Sequence, residues 1–205
     1  MSDVDNGPNP AAVPTRILLG IFAADLADPL HALVRAARTG DGVALPEVVD
    51  RIRLVAWTAW PEIESAVIVG VPGHRPGPVN RLILEVAGEL AVIRGWNHDR
   101  GALRRWRLAP EAKLGGPRDS MADAATMKWV SAGGGETIIL LDDVLRTGST
   151  LQACAATVRA AGDCRRIVGL VIAARASDPD AQGGQRNRPA RRSVSMSSIV
   201  RPSPA

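Results

Sequence analysis

The chain has 205 residues, 46% of them apolar, and a formal net charge of +4. This length predicts one domain that can bury a hydrophobic core. No apolar run in the sequence is long enough to span a membrane. Aromatic residues make up only 3% of the chain, which argues against a base-stacking nucleic-acid surface. The first residues do not resemble a signal peptide, so we expect a cytoplasmic protein with no membrane contact.

Both ends of the chain lack hydrophobic periodicity. Residues 1–15 are rich in proline and are predicted to be a disordered leader. Residues 176–205 are predicted to be a disordered basic tail, with five arginines against two aspartates, a net charge of +3. The folded domain is therefore expected over residues 16–175. The tail could make a weak contact with nucleic acid or with another acidic partner.

The domain begins with a short apolar strand, predicted over residues 16–23. Asp28 and Pro29 then have the N-cap and first-turn preferences that mark the start of a helix, and Gly40 is suited to end it. A second helix is predicted from about residue 46 to residue 57. Its inward face would consist of Val48, Val49, Ile52 and Val55.

Residues 65–71, SAVIVGV, predict a buried strand that runs into a turn rich in glycine and proline. Gly73 can adopt conformations that expose backbone N–H groups, and Arg75 offers several donors to an anion. Together with His74, these residues form a candidate anion-binding loop. The alternative is a plain turn with solvated charges, and the residues alone leave both readings open.

A helix is predicted from about residue 79 to residue 91, and a long connection over residues 95–136 follows it. Little of this connection is periodic, although residues 102–108 could form a strand. Connections of this length inside a domain are usually functional or disordered. The basic residues suggest a mobile loop that closes over a bound anion, with a run of solvated charges as the alternative; they include Arg105, Arg107 and Lys113.

The most informative stretch is Thr137–Thr150, TIILLDDVLRTGST. Its apolar start predicts a buried parallel strand, which Asp142 and Asp143 follow directly. Next comes a small loop in front of a helical periodicity, made of Arg146, Thr147, Gly148, Ser149 and Thr150. Backbone N–H groups at a helix N-terminus favour an anion, and an acidic pair can bind ribose hydroxyls directly or through Mg²⁺. Taken singly, the same residues could be ordinary helix caps.

Residues 166–174, RIVGLVIAA, predict the last strand. Because strands alternate with helices, we predict a single-domain α/β fold with a mostly parallel sheet flanked by helices. In such folds ligands bind at the carboxyl ends of the strands, so the loops after residues 71 and 141 should form one site. Cys154 and Cys164 are expected to be reduced packing residues.

The order of strand, acidic pair and hydroxyl-rich loop resembles a known signature. Type I phosphoribosyltransferases bind 5-phosphoribosyl pyrophosphate (PRPP) with an apolar strand, two acids, two further residues and Thr-Thr-Gly-x-Thr. Here Arg146 replaces the first threonine, and the matching residues are Asp142, Asp143, Thr147, Gly148 and Thr150. Three weaker segments are similar to the ComF-like, competence-associated group of this family, namely HALVRAARTGDG, VIVGVPGHR and ALRRWRLAPEAKLGG.

The resemblance implies a phosphoribosyltransferase fold and a pentosyltransferase activity. Such an enzyme transfers the 5-phosphoribosyl group from PRPP to a small-molecule acceptor, here unidentified, and releases pyrophosphate. Residues 146–150 would hold the 5-phosphate, and Asp142 and Asp143 would hold the ribose hydroxyls and the Mg²⁺ that PRPP carries. The pyrophosphate would meet Gly73, His74 and Arg75, and the flexible loop would contain Arg105, Arg107 and Lys113.

The chain departs from the ComF-like pattern at Ala109 and Ala112, where the group has threonine and glutamine. This departure keeps an alternative open, a PRPP- or nucleotide-binding regulatory protein that performs no chemistry. A DNA-uptake-associated protein is a further alternative, in which the basic tail would contact DNA. A homodimer is also left open by the sequence.

Overall fold

The computed structural model describes residues 18–23, 29–56, 62–110, 119–130, 137–162, 164–174 and 191–193. The helices are α1 (Leu30–Arg38), α2 (Ala44–Ala56), α3 (Arg81–Arg94), α4 (Ser120–Ala124) and α5 (Ser149–Ala160). The strands are β1 (Leu18–Ala23), β2 (Val67–Gly70), β3 (Asn97–His98), β4 (Leu103–Arg105), β5 (Met127–Trp129), β6 (Thr137–Leu145), β7 (Arg166–Ala174) and β8 (Arg191–Ser193).

Six of the strands form one sheet in the order β3-β2-β6-β7-β1-β8, and every neighbouring pair is parallel. The centre of this sheet is β6 beside β7, the two longest strands, whose apolar runs suit burial on both faces. The remaining two strands, β4 and β5, pair in antiparallel fashion as a separate small ribbon. The predicted α/β fold with a mostly parallel sheet is therefore confirmed.

Helices cover both faces of the sheet. Along β6 successive side chains point to opposite faces, so Ile139 and Leu141 enter one core while Ile138 and Leu140 enter the other. The first core is closed by α1, α2 and α3, and the second by α5 and the β4–β5 ribbon. None of the described helices has both the length and the apolar character that a bilayer crossing requires.

The turn between α1 and α2 is short and tightly bonded. The predicted end of the first helix at Gly40 is confirmed, since Gly40 has a φ of 94° directly after the cap residue Thr39. The second helix begins at Ala44, two residues earlier than predicted, because Oδ1 of Asp41 accepts hydrogen bonds from the N–H groups of Val43 and Ala44. The predicted cap Asp28 lies outside the described residues.

Inward residues of α2 follow the predicted pattern. Val48 and Ile52 are buried, and Val49 packs partly buried against the same core. The side chain of Val55 lies outside the description. Cys154 is a free thiol buried in the second core, and Cys164 packs partly buried against the same core, as expected of packing residues.

The predictions for the connection over residues 95–136 have to be corrected. The connection over residues 95–136 contains β3, β4, α4 and β5, which are too short to produce a periodic sequence pattern and are held by tertiary pairing. The strand predicted over residues 102–108 is limited to β4. Within the predicted tail, β8 pairs with the open edge of β1, where unpaired backbone groups accept another strand. The rest of the tail and the leader lie outside the described residues.

Candidate functional site

The site lies where β2 ends beside β6. The two strands pair from Val67–Ile138 to Gly70–Leu141, and one further bond joins the N–H of Val71 to the carbonyl oxygen of Leu141 at 2.8 Å. On its other side β6 stays paired with β7 as far as Leu145. The segment of β6 that carries the acidic pair therefore has one neighbouring strand and one open edge. Backbone and carboxylate groups along this edge can be reached from the carboxyl end of the sheet.

Asp142 and Asp143 follow each other on an extended strand, so they project toward opposite faces. Asp143 meets α1, where Nε of Arg38 lies 2.8 Å from its Oδ2. Asp142 lies on the face of α5, close enough for its charge to act on the thiol of Cys154. Its Oδ1 accepts a hydrogen bond from the N–H of Asp143 at 2.9 Å.

The two carboxylates differ in their electrostatics. Desolvation by burial, followed by the negative charge of Asp143, raises the pKa of Asp142 from its ordinary value of 3.8 to about 7. The backbone N–H of Asp143 and the charge of Arg38 act in the opposite direction but are outweighed. The carboxyl group of Asp142 is therefore partly protonated near neutral pH, and a cation bound beside it would favour its charged form.

The hydroxyl-rich loop runs directly into α5. Gly148 is the N-cap residue, with a φ of 79° that other residues adopt only at a cost. The hydroxyls of Thr147 and Ser149 are 3.0 Å apart, and the N–H of Ser149 points toward Thr147 Oγ1 at 3.4 Å. The twelve-residue helix α5 thus begins at Ser149, shortly after β6 ends at Leu145, and the free N–H groups of its first turn favour an anion.

The loop after β2 is held by hydrogen bonds from another segment of the chain. Its carbonyl oxygens at Gly73 and His74 accept bonds from Nε of Arg105 at 2.5 Å and from the N–H of Ala109 at 2.8 Å. Arg105 is the last residue of β4, and Ala109 lies in the segment that follows this strand. The side chains of His74 and Arg75 are exposed.

Arg105 is predicted to lie in a flexible loop, but the structure places it as the last residue of β4. Its side chain is fully buried, with Nη1 bonded to Asp123 Oδ1 at 2.7 Å and also to Oγ1 of Thr126. Arg105 can be buried because Asp123, on α4, compensates the charge of its guanidinium. Arg107 is exposed and stacks over the ring of Trp106, 3.9 Å from its centroid. Lys113 lies outside the described residues.

A cavity of about 170 Å³ joins these parts. The predicted site residues that line it are Gly73, His74, Arg105, Asp142, Asp143 and Thr150. Within the described part of the chain, its lining does not include Arg75, Arg107, Arg146, Thr147, Gly148 or Ser149. The structure thus brings together both acids, two members of the predicted pyrophosphate loop and one member of each of the other two predicted loops.

Five further lining residues were not proposed as site residues from the sequence, namely Arg38, Val71, Pro72, Asn80 and Ile83. Asn80 caps α3, and its Oδ1 accepts a bond from the N–H of Leu82 at 2.9 Å. Its place between a Pro-rich turn and a helical pattern is a signal that could have been used. Arg38 is the last residue of α1, and only the placement of that helix over β6 brings it to Asp143.

The carboxylates of the cavity decide how Mg²⁺ could be bound here. In the described residues no group of three or more His, Cys, Asp or Glu side chains could hold a metal ion by itself. Mg²⁺ keeps several waters and is commonly bound by one or two carboxylates together with substrate phosphates. The pair Asp142 and Asp143 fits that second arrangement, in which the ion arrives with a phosphorylated ligand.

No protein-family model matches the sequence, and no curated protein is significantly similar to it. Among solved structures, the chain is similar to the adenine phosphoribosyltransferase of Leishmania donovani, with a TM-score of 0.42 and 14% identity over 83% of this chain and 91% of that one. It is also similar to the adenine phosphoribosyltransferase of Leishmania tarentolae, with a TM-score of 0.36 and 14% identity over 68% and 74% of the two chains. Both likenesses are distant, so function has to be inferred from the site itself.

Proposed function

We propose that the protein binds PRPP with Mg²⁺ and transfers its 5-phosphoribosyl group to a nucleophile, with release of pyrophosphate. One observation carries this proposal. A single cavity collects an acidic pair at a strand end, a helix N-terminus with Thr150, and the backbone of the loop at Gly73. These three parts suit the three parts of PRPP, which are the ribose hydroxyls, the 5-phosphate and the pyrophosphate. The segments similar to the ComF-like group agree with this assignment.

Each part of the chain has a distinct task in this proposal. The N–H groups at the start of α5 and the hydroxyl of Thr150 bind the 5-phosphate. Asp142 and Asp143 accept hydrogen bonds from the ribose hydroxyls and hold the Mg²⁺. The loop with Gly73 and His74 lies nearest to the pyrophosphate. Nη2 of Arg105 is a buried donor without a hydrogen-bond partner among the described residues, and an anion in this cavity would satisfy it.

In the reaction, the bond between C1 of the ribose and the pyrophosphate oxygen breaks, and a bond from C1 to the nucleophile forms. Bound Mg²⁺ supplies neutralisation of the charge that develops on the leaving pyrophosphate. The chain contributes positioning, because both ends of the substrate are fixed while C1 stays between them. It also contributes charge stabilisation, because the carboxylates lie beside a sugar that becomes positively charged.

Calorimetric titration of the full-length protein with PRPP, with and without Mg²⁺, tests the binding site. We expect Mg²⁺-dependent binding that Asp143→Asn weakens by roughly tenfold or more, since a charged acceptor is lost. Glu64→Gln is the matched control, because it removes an exposed carboxylate outside the cavity lining. A wild-type protein that binds no PRPP in the presence of Mg²⁺ would overturn the proposal.

A second candidate is a PRPP- or nucleotide-binding regulatory protein without chemistry. Its support is that Ala109, in place of a threonine, is buried and contributes only a backbone bond to the loop after β2. The position of Arg105 supports it as well, since this arginine is buried in an ion pair with Asp123 at the end of β4 and does not lie in a free loop. Pyrophosphate release from PRPP in the presence of a panel of nucleobases and amines separates the two candidates. Release with any of these acceptors excludes the non-catalytic one.

A further inference from the structure

Arg38 contacts the acidic pair from the end of a rigid helix. Its Nε lies 2.8 Å from Oδ2 of Asp143, and its side chain is 47% exposed while that of Asp143 is 10% exposed. The helix is anchored by Leu30 and Val34, both fully buried in the first core. Any change at this contact therefore involves the side chain of Arg38 and leaves the helix in place.

Arg38 supplies the positive charge that the acidic pair lacks. It pairs directly with Asp143 and acts electrostatically on Asp142. Among the described residues, no second carboxylate forms an ion pair with it. In the free protein the guanidinium thus takes the place beside Asp143 that a divalent cation or a pair of ribose hydroxyls would need.

Displacement of Arg38 is feasible because its own side chain is half exposed, so that water can solvate the guanidinium once it leaves Asp143. The displaced guanidinium stays at the cavity, which Arg38 lines together with His74 and Thr150. Its planar fork of donors matches a phosphate group better than a single carboxylate oxygen, and it cannot lose its proton. A phosphate in the cavity would therefore give the guanidinium a new partner.

We propose that Arg38 is a displaceable counter-cation of Asp143, released by a ligand that carries both a divalent cation and a phosphate, and then bound to that phosphate. A metal ion alone has to expel Arg38 without offering it a partner. A phosphate without metal leaves Asp143 in need of its cation. Only the complex of the two satisfies both residues, which makes Arg38 a specificity-determining residue. The identity of this ligand as PRPP rests on the proposed function, whereas the contact itself does not.

Binding of Mn²⁺ alone tests the first half of the proposal. Paramagnetic resonance of free Mn²⁺ is measured against full-length wild type, Arg38→Met and Arg35→Met. Arg35 is the matched control, because it is an exposed arginine in the same last turn of α1 and does not line the cavity. We expect Arg38→Met to bind Mn²⁺ about tenfold more tightly than wild type, because a competing positive charge is gone. Unchanged, weaker or undetectable Mn²⁺ binding in this variant overturns the proposal.

Binding of PRPP with Mg²⁺, measured by calorimetry, tests the second half. We expect Arg38→Met to bind this complex about fivefold or more weakly than wild type, since the phosphate loses a bidentate donor. Opposite changes for metal and complex are the signature of the proposal, because a purely structural defect would weaken both. If Arg38→Met bound both Mn²⁺ alone and the complex of PRPP and Mg²⁺ more tightly, Arg38 would merely block the site. That result would overturn the proposal that Arg38 moves from Asp143 to the phosphate.

Arg38→Lys keeps the proposal testable if the methionine variant does not fold. Lysine retains the charge but not the fork, so Mn²⁺ binding should stay near wild type while binding of the complex weakens. If Arg38→Lys bound the complex of PRPP and Mg²⁺ as tightly as wild type does, the proposed transfer of Arg38 from Asp143 to the phosphate would be contradicted. If wild type binds no PRPP, the proposed function fails, and the same titrations with inorganic pyrophosphate and Mn²⁺ still decide the role of Arg38.

Discussion

Arg105 and Asp123 form an ion pair in which both side chains are fully buried, with Nη1 2.7 Å from Oδ1. The same guanidinium donates from Nε to the carbonyl oxygen of Gly73 at 2.5 Å. The pair therefore connects α4, β4 and the loop after β2. Because removing two charges from water is costly, the value of such a pair lies mainly in the geometry that it fixes. Here that geometry is the position of a loop at the cavity.

Replacing Arg105 by methionine should destabilise the protein strongly. The substitution leaves Asp123 buried without its cation, and breaking a buried pair in this way costs about 3–5 kcal/mol in the free energy of unfolding. The double variant Arg105→Met/Asp123→Leu should recover much of that loss, since no buried charge remains. Urea unfolding of the two variants measures both effects.

Arg104→Met is the control for this substitution. Arg104 neighbours Arg105 on β4, but its side chain is exposed and donates from Nε to the carbonyl oxygen of Gly101. Its replacement should change the free energy of unfolding by no more than about 0.5 kcal/mol. If Arg104→Met and Arg105→Met lowered the free energy of unfolding equally, the buried ion pair would contribute no more to stability than an exposed arginine does.

Gly70 has no room for a larger residue. A Cβ atom at this position would lie 2.6 Å from Cγ1 of Val79 and 2.9 Å from Cγ2 of Ile83, both on short branched side chains. Gly70→Ala should therefore lower the free energy of unfolding by about 1–3 kcal/mol, as overpacking of a core does. Thermal unfolding provides the measurement. Gly42→Ala is the control, because open space surrounds Gly42, and it should be close to neutral.

Gly148→Ala should affect both stability and ligand binding. The φ of 79° at Gly148 is strained for alanine, at a cost of about 1–2 kcal/mol in the free energy of unfolding. Gly162, at the other end of α5, has a φ of 78° and lies away from the cavity. Gly162→Ala should lose a similar amount of stability but bind PRPP like wild type. If both variants bind PRPP equally, the loop before α5 does not hold the phosphate.

The raised pKa of Asp142 predicts a pH dependence of stability. Between pH 3.8 and about 7 the folded state holds a proton at Asp142 that the unfolded state releases, so this group contributes a stability that falls as pH rises through that window. Asp142→Asn removes the ionisation. The variant should gain stability relative to wild type as pH rises from 4 to 7, by at most about 1.4 kcal/mol per pH unit, and the difference should level off above pH 7.

Urea unfolding of the apo protein at a series of pH values checks this prediction. Glu64→Gln, which neutralises an exposed carboxylate, shows how far any loss of negative charge alters the profile. A constant difference between Asp142→Asn and wild type over the whole range would mean that the carboxyl group is not perturbed in the folded state.

The sequence allowed the sheet and the acidic loop to be predicted because their signals are local. The apolar run of β6, the acidic pair and the glycine before α5 lie within one short stretch, and each has a preference that depends on few neighbours. The β4–β5 ribbon could not be predicted in the same way. Its strands have three residues each, and they exist because they pair with each other and pack on the second core.

The roles of Arg38 and Arg105 show the same limit. Both arginines look like solvated charges in the sequence, and each is placed by a partner far away along the chain, Asp143 for one and Asp123 for the other. A buried arginine needs a compensating carboxylate, but the sequence does not say which of the 21 acidic residues supplies it. Long-range pairing of this kind follows from the fold and not from local preference.

The open edge of β6 restricts the shape of any ligand as well as its charge. Asp142 and Asp143 point to opposite sides of the strand, yet both line the same cavity because β2 ends before them. A molecule that touches both carboxylates has to straddle the strand, with one part toward α1 and another toward α5. A puckered ring with groups on neighbouring carbons can reach both.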